Sequence, residues 1–272
     1  TATNAMTGAV TFTTATAGGN TGNVTIDNGT TALNLGASTI RGSLTATSGN
    51  VAGITDSGNV TVLGTGSFTT DANSGVLNLG TLVVSGALTL NTNGTGTATI
   101  VNATAIDLAA NTNIGGATSI TATTGNITDS GTFTVGGTSS FTTGAADATI
   151  LLDTLASTGA VSLATNGGAA DATVVNATVL DLGTVTVGRN LVATATTGNI
   201  TDSGVITVGG TSSFTTTAAN ATILLDQVSS FTGAVSLATN GATADATLIN
   251  SAIALDLGTV TVGRNLVATA TT

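Results

Sequence analysis

Short stretches in which apolar and polar residues alternate recur along the whole chain. They include Thr132–Val135 (TFTV), Thr184–Val187 (TVTV) and Leu191–Thr196 (LVATAT). Alternation with a period of two places Val185 and Val187 on one face of an extended strand and the threonines on the other. β-Branched residues favour extended backbone, and the high Thr, Val and Gly content and the absence of Glu and Lys argue against helix. The pattern predicts an all-β protein built from short strands.

The pattern returns every 73 to 75 residues. Gly125–Gly131 (GNITDSG) comes back as Gly198–Gly204, and Leu180–Thr197 returns without a change as Leu255–Thr272. A fixed period is typical of stacked arrays, in which each repeat packs only on its neighbours. We therefore expect 1–272 to be a single continuous segment of a longer repeat protein. Its sequence copies are roughly 1–48, 49–124, 125–197 and 198–272.

Each copy divides into three parts of about 24 residues that end at turn signals such as Asp-Ser-Gly and Asn-Gly-Gly. This favours a right-handed parallel β-helix (β-solenoid) with about 24 residues per coil and three coils per copy. Phe68, Phe141 and Phe214 recur in the same context and predict one core position that returns every third coil. Antiparallel β-sandwich modules of about 75 residues are the alternative, and they would need hairpins between longer strands.

The composition removes most side chains that enzymes use. The net charge is −10 from 13 acidic residues, all of them Asp, and three arginines, while His, Cys, Tyr, Trp, Pro, Lys and Glu are absent. Without these bases, nucleophiles and metal ligands, we expect no enzyme activity, no cofactor and no catalytic residues. Nucleic acid is a poor partner because phosphate binding needs Lys and Arg. Polar residues interrupt every apolar run, so we expect no membrane-spanning helix.

The aspartates raise the question of a calcium site. Asp56, Asp129 and Asp202 recur in the TDSG turns, but equivalent residues would lie several coils apart, too far to share an ion. Asp147 is replaced by Asn220 in the next copy, which a metal ligand would tolerate poorly. We therefore expect no metal site and interpret the TDSG aspartates as Asx turns, in which the carboxylate accepts a nearby backbone N–H of its own turn.

Other aspartates and the arginines recur at fixed places in the copies. Arg189 and Arg264 occupy one repeat position, each eight residues after an aspartate, Asp181 and Asp256, which predicts partly exposed ion pairs. Asp107 stands at the place of Asp181 in an earlier copy, and Arg41 lies near the place of the other arginines.

Threonine pairs and Asn-x-Thr sequons are also frequent. Pairs such as Thr184/Thr186 and Thr259/Thr261 could form a flat ice-binding ladder, but they change position between the parts of a copy, which favours a plain solvent-facing role. The sequons at Asn126, Asn176 and Asn199 are expected from composition alone, and we assign them no role.

The repeats GNITDSG, VGGTSSFTT (Val135–Thr143) and GAVSLATNG (Gly159–Gly167), in a Thr/Ala/Gly/Asn-rich chain without cysteine, resemble the stalk of filamentous-haemagglutinin-like bacterial surface proteins. The resemblance extends over the whole chain at the level of repeats and composition. It implies a right-handed parallel β-helix, export by a two-partner or autotransporter-like route, and extracellular or cell-surface display. For that family it implies roles in adhesion, biofilm or filament formation.

We therefore expect a non-catalytic structural fibre or adhesin stalk. The expected partners are other copies of the chain, end to end or side by side, and a cell-surface or glycan receptor. The alternative is a ligand-binding β-solenoid that uses a Thr-rich face for carbohydrate or ice.

Overall fold

A computed structural model describes residues 4–14, 22–251 and 254–271. These residues contain no helix, and their parallel strands stack as a β-solenoid of about 12 turns with about 21 residues per turn. The all-β solenoid predicted from the sequence is confirmed, and the parallel pairing argues against antiparallel sandwich modules. Among the described residues, no helix is long and apolar enough to cross a membrane. Contacts divide the chain into two compact units, Thr1–Gly137 and Thr138–Thr272.

The described part of unit 1 contains strands β1 to β16: Ala9–Val10, Val24–Asp27, Leu33–Leu35, Ser38–Ile40, Leu44–Ser48, Ile54–Asp56, Val60–Val62, Gly66–Asn73, Leu77–Val84, Leu88–Asn93, Ala98–Asn102, Ile106–Leu108, Thr112–Ile114, Thr118–Ala122, Ile127–Asp129 and Phe133–Val135. Sheet 1A has the order β1-β3-β6-β9-β11-β14, with β4 and β7 continuing beside it. Sheet 1B has the order β2-β5-β8-β10-β12-β15, with β13 pairing β10 and β16.

The described part of unit 2 contains strands β17 to β30: Ser139–Ala146, Ile150–Ser157, Val161–Asn166, Ala172–Asn176, Leu180–Val187, Leu191–Ala195, Ile200–Asp202, Ile206–Val208, Ser212–Ala219, Ile223–Phe231, Val235–Asn240, Ala246–Ser251, Leu257–Thr261 and Leu266–Thr271. Sheet 2A has the order β17-β19-β21-β23-β26-β28-β30, with β24 between β21 and β26. Sheet 2B has the order β18-β20-β22-β25-β27-β29.

Equivalent strands of successive copies lie on opposite sheets. In unit 2, β17 belongs to sheet 2A, whereas β25, which repeats its sequence almost unchanged, belongs to sheet 2B. The same exchange relates β21 to β29. With about 21 residues per turn, a copy of 73 to 75 residues spans about three and a half turns. The turn is thus shorter than the expected 24 residues, and each copy begins half a turn away from the copy before it.

The core of each unit is a narrow space between the two sheets. Val185 and Val187 are buried and Thr186 is exposed, as the alternation predicted. Phe141 and Phe214 are both fully buried, but they lie on sheets 2A and 2B and do not form one column. The ring of Phe214 meets that of Phe231 edge to face across the core, with centroids 5.8 Å apart. Such a contact joins the two sheets.

Glycines stack at corners where successive turns approach most closely. In unit 2, a Cβ built on Gly188 would lie 1.7 Å from the carbonyl oxygen of Gly167, and one on Gly209 would lie 2.3 Å from that of Gly188. Gly167 also has a φ of +95°, which other residues rarely adopt. Only glycine therefore fits this corner column without displacing backbone.

Candidate functional site

The aspartate of the first TDSG motif binds backbone groups of the next turn. Asp56, at the end of β6, accepts the N–H of Gly80 through Oδ1 at 2.8 Å and the N–H of Thr81 through Oδ2 at 2.8 Å. Oδ2 also accepts the Thr81 hydroxyl at 3.0 Å. Both carboxylate oxygens of Asp56 are therefore used within the fold.

These amide groups need an acceptor because β9 carries a β-bulge. Leu79 pairs with Ile100 and Leu82 pairs with Asn102, so Gly80 and Thr81 together oppose the single residue between those partners. Residues of a bulge leave the regular ladder, and their N–H groups lose strand partners. We call this arrangement, a carboxylate that accepts the N–H groups of a bulge one turn later, an aspartate clamp.

A second aspartate clamp occurs in unit 2. Asp202, at the end of β23, accepts through Oδ1 the N–H groups of Asp226 at 2.9 Å and Gln227 at 3.4 Å. Its residue is only 7% exposed, and its Oδ2 is buried with no hydrogen-bond partner. Burial, with a smaller contribution from the nearby Asp226 charge, raises the pKa of Asp202 to about 6.

The Asx turns predicted for the TDSG aspartates are therefore wrong for Asp56 and Asp202. The prediction considered only N–H donors within the same turn, whereas stacking brings the donors of residues 24 and 25 positions later within reach. Asp129 occupies the corresponding position at the end of β15 and is also buried. An Asx-type contact does occur at Asp27, whose Oδ1 accepts the N–H of Gly29 at 2.9 Å.

The exchange of Asp147 for Asn220 is explained by a shared geometry. The two residues have φ values of 61° and 62°, in the left-handed region that Asp and Asn tolerate. Asp147 Oδ1 accepts the N–H of Ala169 at 2.9 Å, and Asn220 Oδ1 accepts that of Thr243 at 3.2 Å. This corner needs a short side chain with an acceptor oxygen, and it does not need a charge.

Buried asparagines form a set that sequence reasoning missed. One lies in each copy, two residues after a buried aliphatic residue, and every one is fully buried: Asn28, Asn102, Asn176 and Asn250. Asn176 Oδ1 accepts the N–H of Ser157 at 2.8 Å, and its Nδ2 donates to the carbonyl of the same residue at 2.9 Å. Asn102 binds Val84 in the same way. The side-chain amide thus makes the two hydrogen bonds that the backbone of a neighbouring strand would otherwise make to the residue one turn below.

The sequon at Asn176 belongs to this buried arrangement. Thr178 Oγ1 donates to the Ser157 carbonyl at 2.8 Å, beside the bond from Asn176. A side chain enclosed in this way is closed to a modifying enzyme. The 74-residue spacing of the four asparagines, always in phase with buried aliphatic residues, was the signal that could have identified them. The sequon residues Asn126 and Asn199 are exposed, by contrast.

The arginines form ion pairs, but not with the predicted aspartates. Arg189 makes a bidentate pair with Asp171, its Nε donating to Oδ1 at 2.7 Å, and Arg264 pairs in the same way with Asp245. The hydrogen bond from Arg189 is the main cause that lowers the pKa of Asp171. That from Arg264 lowers the pKa of Asp245 to about 2.

The predicted partners Asp181 and Asp256 lie too far away along the chain. Eight residues of extended strand span about 26 Å, whereas a residue 18 positions earlier lies at the same corner one turn below. Arg41 uses its backbone N–H to bind the Thr14 hydroxyl at 2.9 Å.

The remaining aspartates do not gather into a site. Asp107 and Asp181 pair with Thr128 and Thr201 of the next turn, and each has one buried oxygen without a hydrogen-bond partner. Over residues 4–14, 22–251 and 254–271, no group of three aspartates is placed to hold a metal ion.

The surface has shallow depressions that lack acidic residues. One lies beside the bulge of β9 and is lined in part by Gly80, Thr81 and Leu82. The other is polar and is lined by the side chains of Asn91, Asn111, Thr112, Asn113, Thr132 and Thr134. Neither combines an acid, a base and a nucleophile of the kind that catalysis requires.

Threonine pairs change face from one copy to the next. Thr184/Thr186 lie at β21 in sheet 2A, whereas the equivalent Thr259/Thr261 lie on β29 in sheet 2B. The half-turn offset between copies is the physical reason, because each copy places its pairs on the sheet opposite to the one used before.

Comparison with known proteins agrees with the repeat architecture. The curated proteins and the solved structures gave no match to the chain. A family of repeats matches residues 21–77, 95–164 and 167–238, with starts separated by about one sequence copy. These segments cover most of the chain, which therefore belongs to the family of repeats of unknown function (DUF5649).

Proposed function

We propose that this chain is a non-catalytic structural segment that extends a protein through stacked turns. The observation that carries the proposal is the set of buried asparagines, one per copy, each committed to the backbone of the turn below. The side-chain amides of Asn102 and Asn176 form hydrogen bonds that hold neighbouring turns together. The polar groups that recur from copy to copy thus serve cohesion between turns.

The aspartate clamps support the same conclusion. Asp56 and Asp202 recur in the TDSG motif, and both hold a β-bulge in place. Parallel strands lie about 4.8 Å apart, so a copy of three and a half turns adds about 17 Å of stacked length. Length that grows in equal steps is the property that a stalk or fibre needs.

Display outside the cell is the second part of the proposal. The likeness to filamentous-haemagglutinin-like stalks supports an extracellular or cell-surface adhesin stalk, in which these repeats carry a binding domain away from the surface. The absence of cysteine fits an export route without disulfides, and the Thr/Asn-rich coat gives a polar exterior with few charges. In this function the repeats supply length. Adhesion is assigned to other parts of the protein or to assembled fibres.

Small-angle X-ray scattering tests the structural part. Chains lengthened by one and by two copies of residues 125–197 are compared with the original chain. We expect the maximum dimension to rise by about 17 Å per copy at a constant cross-section. Growth of the cross-section at constant length would contradict a stacked rod. An antibody raised against the chain tests display, and it should label intact cells that produce the protein.

A second candidate function is binding of carbohydrate or ice by a hydroxyl-rich face. On sheet 1B, Thr45, Ser67 and Thr89 stack in register on successive strands, beside a second column that contains Thr47 and Thr69. This is the observation that favours it. Replacing Thr47 and Thr69 by valine should abolish retention on polysaccharide columns or thermal hysteresis if this face binds. Equal behaviour of the variant and the original chain would leave the hydroxyls a purely solvent-facing role.

A further inference from the structure

Four asparagines in this chain are followed directly by a glycine: Asn28, Asn93, Asn166 and Asn240, one in each sequence copy. Asparagine is among the residues that are lost most readily on prolonged heating of proteins. Glycine has no Cβ, so no side chain hinders the approach of a neighbouring group to its backbone nitrogen. The four pairs are chemically identical, and any difference in their reactivity must therefore come from the fold.

Three of the pairs lie at corners where a strand ends. Asn93, Asn166 and Asn240 are the last residues of β10, β19 and β27, and each asparagine and the glycine after it are exposed. The three glycines have positive φ values of 63°, 95° and 97°. We call Asn93-Gly94, Asn166-Gly167 and Asn240-Gly241 the corner pairs. Solvent reaches both residues of every corner pair.

The backbone nitrogen of the glycine is not held in the corner pairs. Within residues 4–14, 22–251 and 254–271, the N–H groups of Gly94, Gly167 and Gly241 donate to no protein acceptor. Each of these glycines lies just beyond its strand, outside the ladder of hydrogen bonds. An exposed N–H group without an acceptor can lose its proton to a base in solution.

The asparagine side chains of the corner pairs are held by one hydrogen bond each in the described part of the chain. Each Nδ2 donates to a backbone carbonyl of the turn below: Asn166 to Gly144 at 2.7 Å, Asn240 to Thr217 at 2.8 Å and Asn93 to Asp71 at 3.2 Å. Hydrogen bonds of exposed groups contribute little net free energy, because water competes for both partners. These side chains can therefore leave their carbonyls without opening the core.

Asn28-Gly29 differs from the corner pairs in each of these respects. Asn28 is fully buried, and its Nδ2 donates to three backbone carbonyls, of which that of Ala32 is the nearest at 2.8 Å. The N–H of Gly29 donates to Asp27 Oδ1 at 2.9 Å, so this nitrogen is occupied. The same two residues are thus enclosed at one place in the chain and open at three.

Asparagine followed by an open glycine can cyclise without an enzyme. The deprotonated glycine nitrogen attacks Cγ of the asparagine side chain, a new N–Cγ bond forms, and the Cγ–Nδ2 bond breaks. The leaving nitrogen takes up a proton and departs as ammonia, and a cyclic imide remains. Water then opens the ring at either carbonyl and yields aspartate or isoaspartate. One water is consumed and one ammonia is released, and no oxidant or cofactor takes part.

We propose that Asn93, Asn166 and Asn240 are sites of spontaneous deamidation in the folded chain, whereas Asn28 is protected. A weakly held side chain, a free glycine nitrogen and access of water coincide at each corner pair, and Asn28 has none of them. Deamidation depends on the corners alone. It does not rest on the structural role proposed above, so either proposal can fail without the other.

The product changes a corner in two ways. Its carboxylate adds a negative charge and has no Nδ2 to bind the carbonyl of the turn below. Isoaspartate also lengthens the main chain, at a corner where a Cβ on Gly188 would already lie 1.7 Å from the carbonyl oxygen of Gly167. Deamidation of Asn166 should therefore weaken the stacking of turns at its corner as the protein ages.

Incubation of the purified, folded chain in heavy-oxygen water at mildly alkaline pH tests the proposal. Opening of the imide leaves a heavy oxygen in the product, which distinguishes this reaction from deamidation during sample handling. The chain is then digested with pepsin at acid pH in ordinary water, and fragment-ion mass spectrometry assigns the label to single residues. A parallel sample in guanidinium chloride gives the rates of the same four pairs without the fold. Asn166→Gln is the site control, because its longer side chain disfavours cyclisation while the amide is kept.

We expect label at the three corner asparagines of the folded chain at rates at least about tenfold above that of Asn28, which reacts only through opened states. The corner pairs should still react more slowly than in denaturant. At Asn166 the reason is its carbonyl, which accepts the N–H of Asp147 at 2.7 Å and so limits rotation of the peptide. In guanidinium chloride all four pairs should react alike. Asn166→Gln should lose the label at that position and keep it at Asn93 and Asn240.

Three results would overturn the proposal. The first is a folded chain whose corner pairs stay unlabelled while the denatured chain is labelled, because the corners would then be too rigid for ring closure. The second is an Asn28 that reacts as fast as the corner pairs in the folded chain, or that stays slow in denaturant, because enclosure would then not be the cause. The third is label that persists at position 166 of Asn166→Gln, which would assign the reaction to a neighbouring residue.

Discussion

The two aspartate clamps hold similar bulges but differ in how each carboxylate is satisfied. In unit 1, Asp56 uses both oxygens, for Gly80 and Thr81. In unit 2, Asp202 uses Oδ1 alone, and its Oδ2 is buried without a partner.

The difference begins in the bulge. In β9, two residues oppose Val101, whereas in β26 three residues, from Asp226 to Val228, oppose Ile249. Burial is the main cause that raises the pKa of Asp202 to about 6, and the nearby charge of Asp226 contributes less. Copies of one motif therefore keep a hydrogen-bonding role while their electrostatics diverge. The role follows from backbone geometry, and the pKa follows from local neighbours.

The largest expected effect comes from a buried carboxylate that has no donor. Asp202 is tolerated inside unit 2 because two N–H groups face it. Val187→Asp would place a carboxylate at a core position that is 2% exposed and has no such donors. We expect the free energy of unfolding to fall by about 4 kcal/mol or more, measured by urea denaturation. Thr186→Asp, on the outward side of the same strand, is the control and should have little effect. Equal losses of unfolding free energy in the two variants would contradict the inward position of Val187 and the outward position of Thr186 on β21.

The next effect compares the two clamps directly. Asp56→Asn would turn an NH₂ group toward donors that now bind Oδ1 or Oδ2, and should cost about 2 kcal/mol of unfolding free energy. Asp202→Asn keeps one acceptor oxygen and removes a buried charge. At pH 7 it should leave stability unchanged or raise it by about 1 kcal/mol. Urea unfolding of both variants beside the original chain measures the difference. A similar loss in both would show that the clamps are equivalent.

The pH dependence of stability follows from the raised pKa of Asp202. The native state holds this proton up to about pH 6, whereas the ordinary value is 3.8. Between these values the folded chain binds more protons, so the contribution of Asp202 to stability falls as pH rises from 4 to 6 and is constant above. Urea midpoints of the original chain minus those of Asp202→Asn should show this slope.

Asp245 serves as the internal contrast in that experiment. Its pKa is lowered to about 2 by Arg264, so its contribution is present above pH 3.8 and is lost as pH falls toward 2. Asp202→Asn should leave the decline below pH 4 unchanged. If the variant removed both slopes, the assignment of the upper one to Asp202 would be wrong.

The smallest expected effect comes from removing the acidic side chain of the bulge in β26. Asp226→Thr gives β26 a bulge without a carboxylate, as in β9, and removes the like charge near Asp202. Because burial is the larger cause of the shift, we expect the pKa of Asp202 to fall only slightly and to stay above its ordinary value. Carbon-detected NMR titration of the Asp202 carboxyl measures it. Asp153→Thr, the equivalent position in β18, is the matched control and should leave that titration where it was.

The repeats were sufficient to predict the solenoid because alternation and turns fix strands locally. They were not sufficient to predict the number of residues in each turn. Inward and outward alternation is the same on both sheets, so a copy of three turns and a copy of three and a half turns bury the same valines. The partner of a side chain depends on that length. This is why Asp171 and not Asp181 pairs with Arg189, and why the acceptor roles of Asp56 and Asp202 were assigned to the wrong turn.

Asn176 shows what a single sequence hides. Asparagine is a normal turn residue, and nothing in its immediate neighbours marks it as buried. Its position is decided by phase, two residues after Val174 on the inward face of β20. Only the stacked structure shows that Ser157, 19 residues earlier, offers both of its backbone groups to that side chain.

Because each copy spans three and a half turns, the sheet on which a residue lies depends on whether the number of copies before it is odd or even. Recombination that deletes or duplicates one copy would exchange the sheet on which every later residue sits, yet the valines would remain inside because both sheets alternate alike. Gain or loss of a single copy would thus point whatever follows it toward the opposite side, and a change of two copies would restore the original direction. Variation in copy number would therefore change the direction in which an attached domain points, as well as its distance from the start of the array.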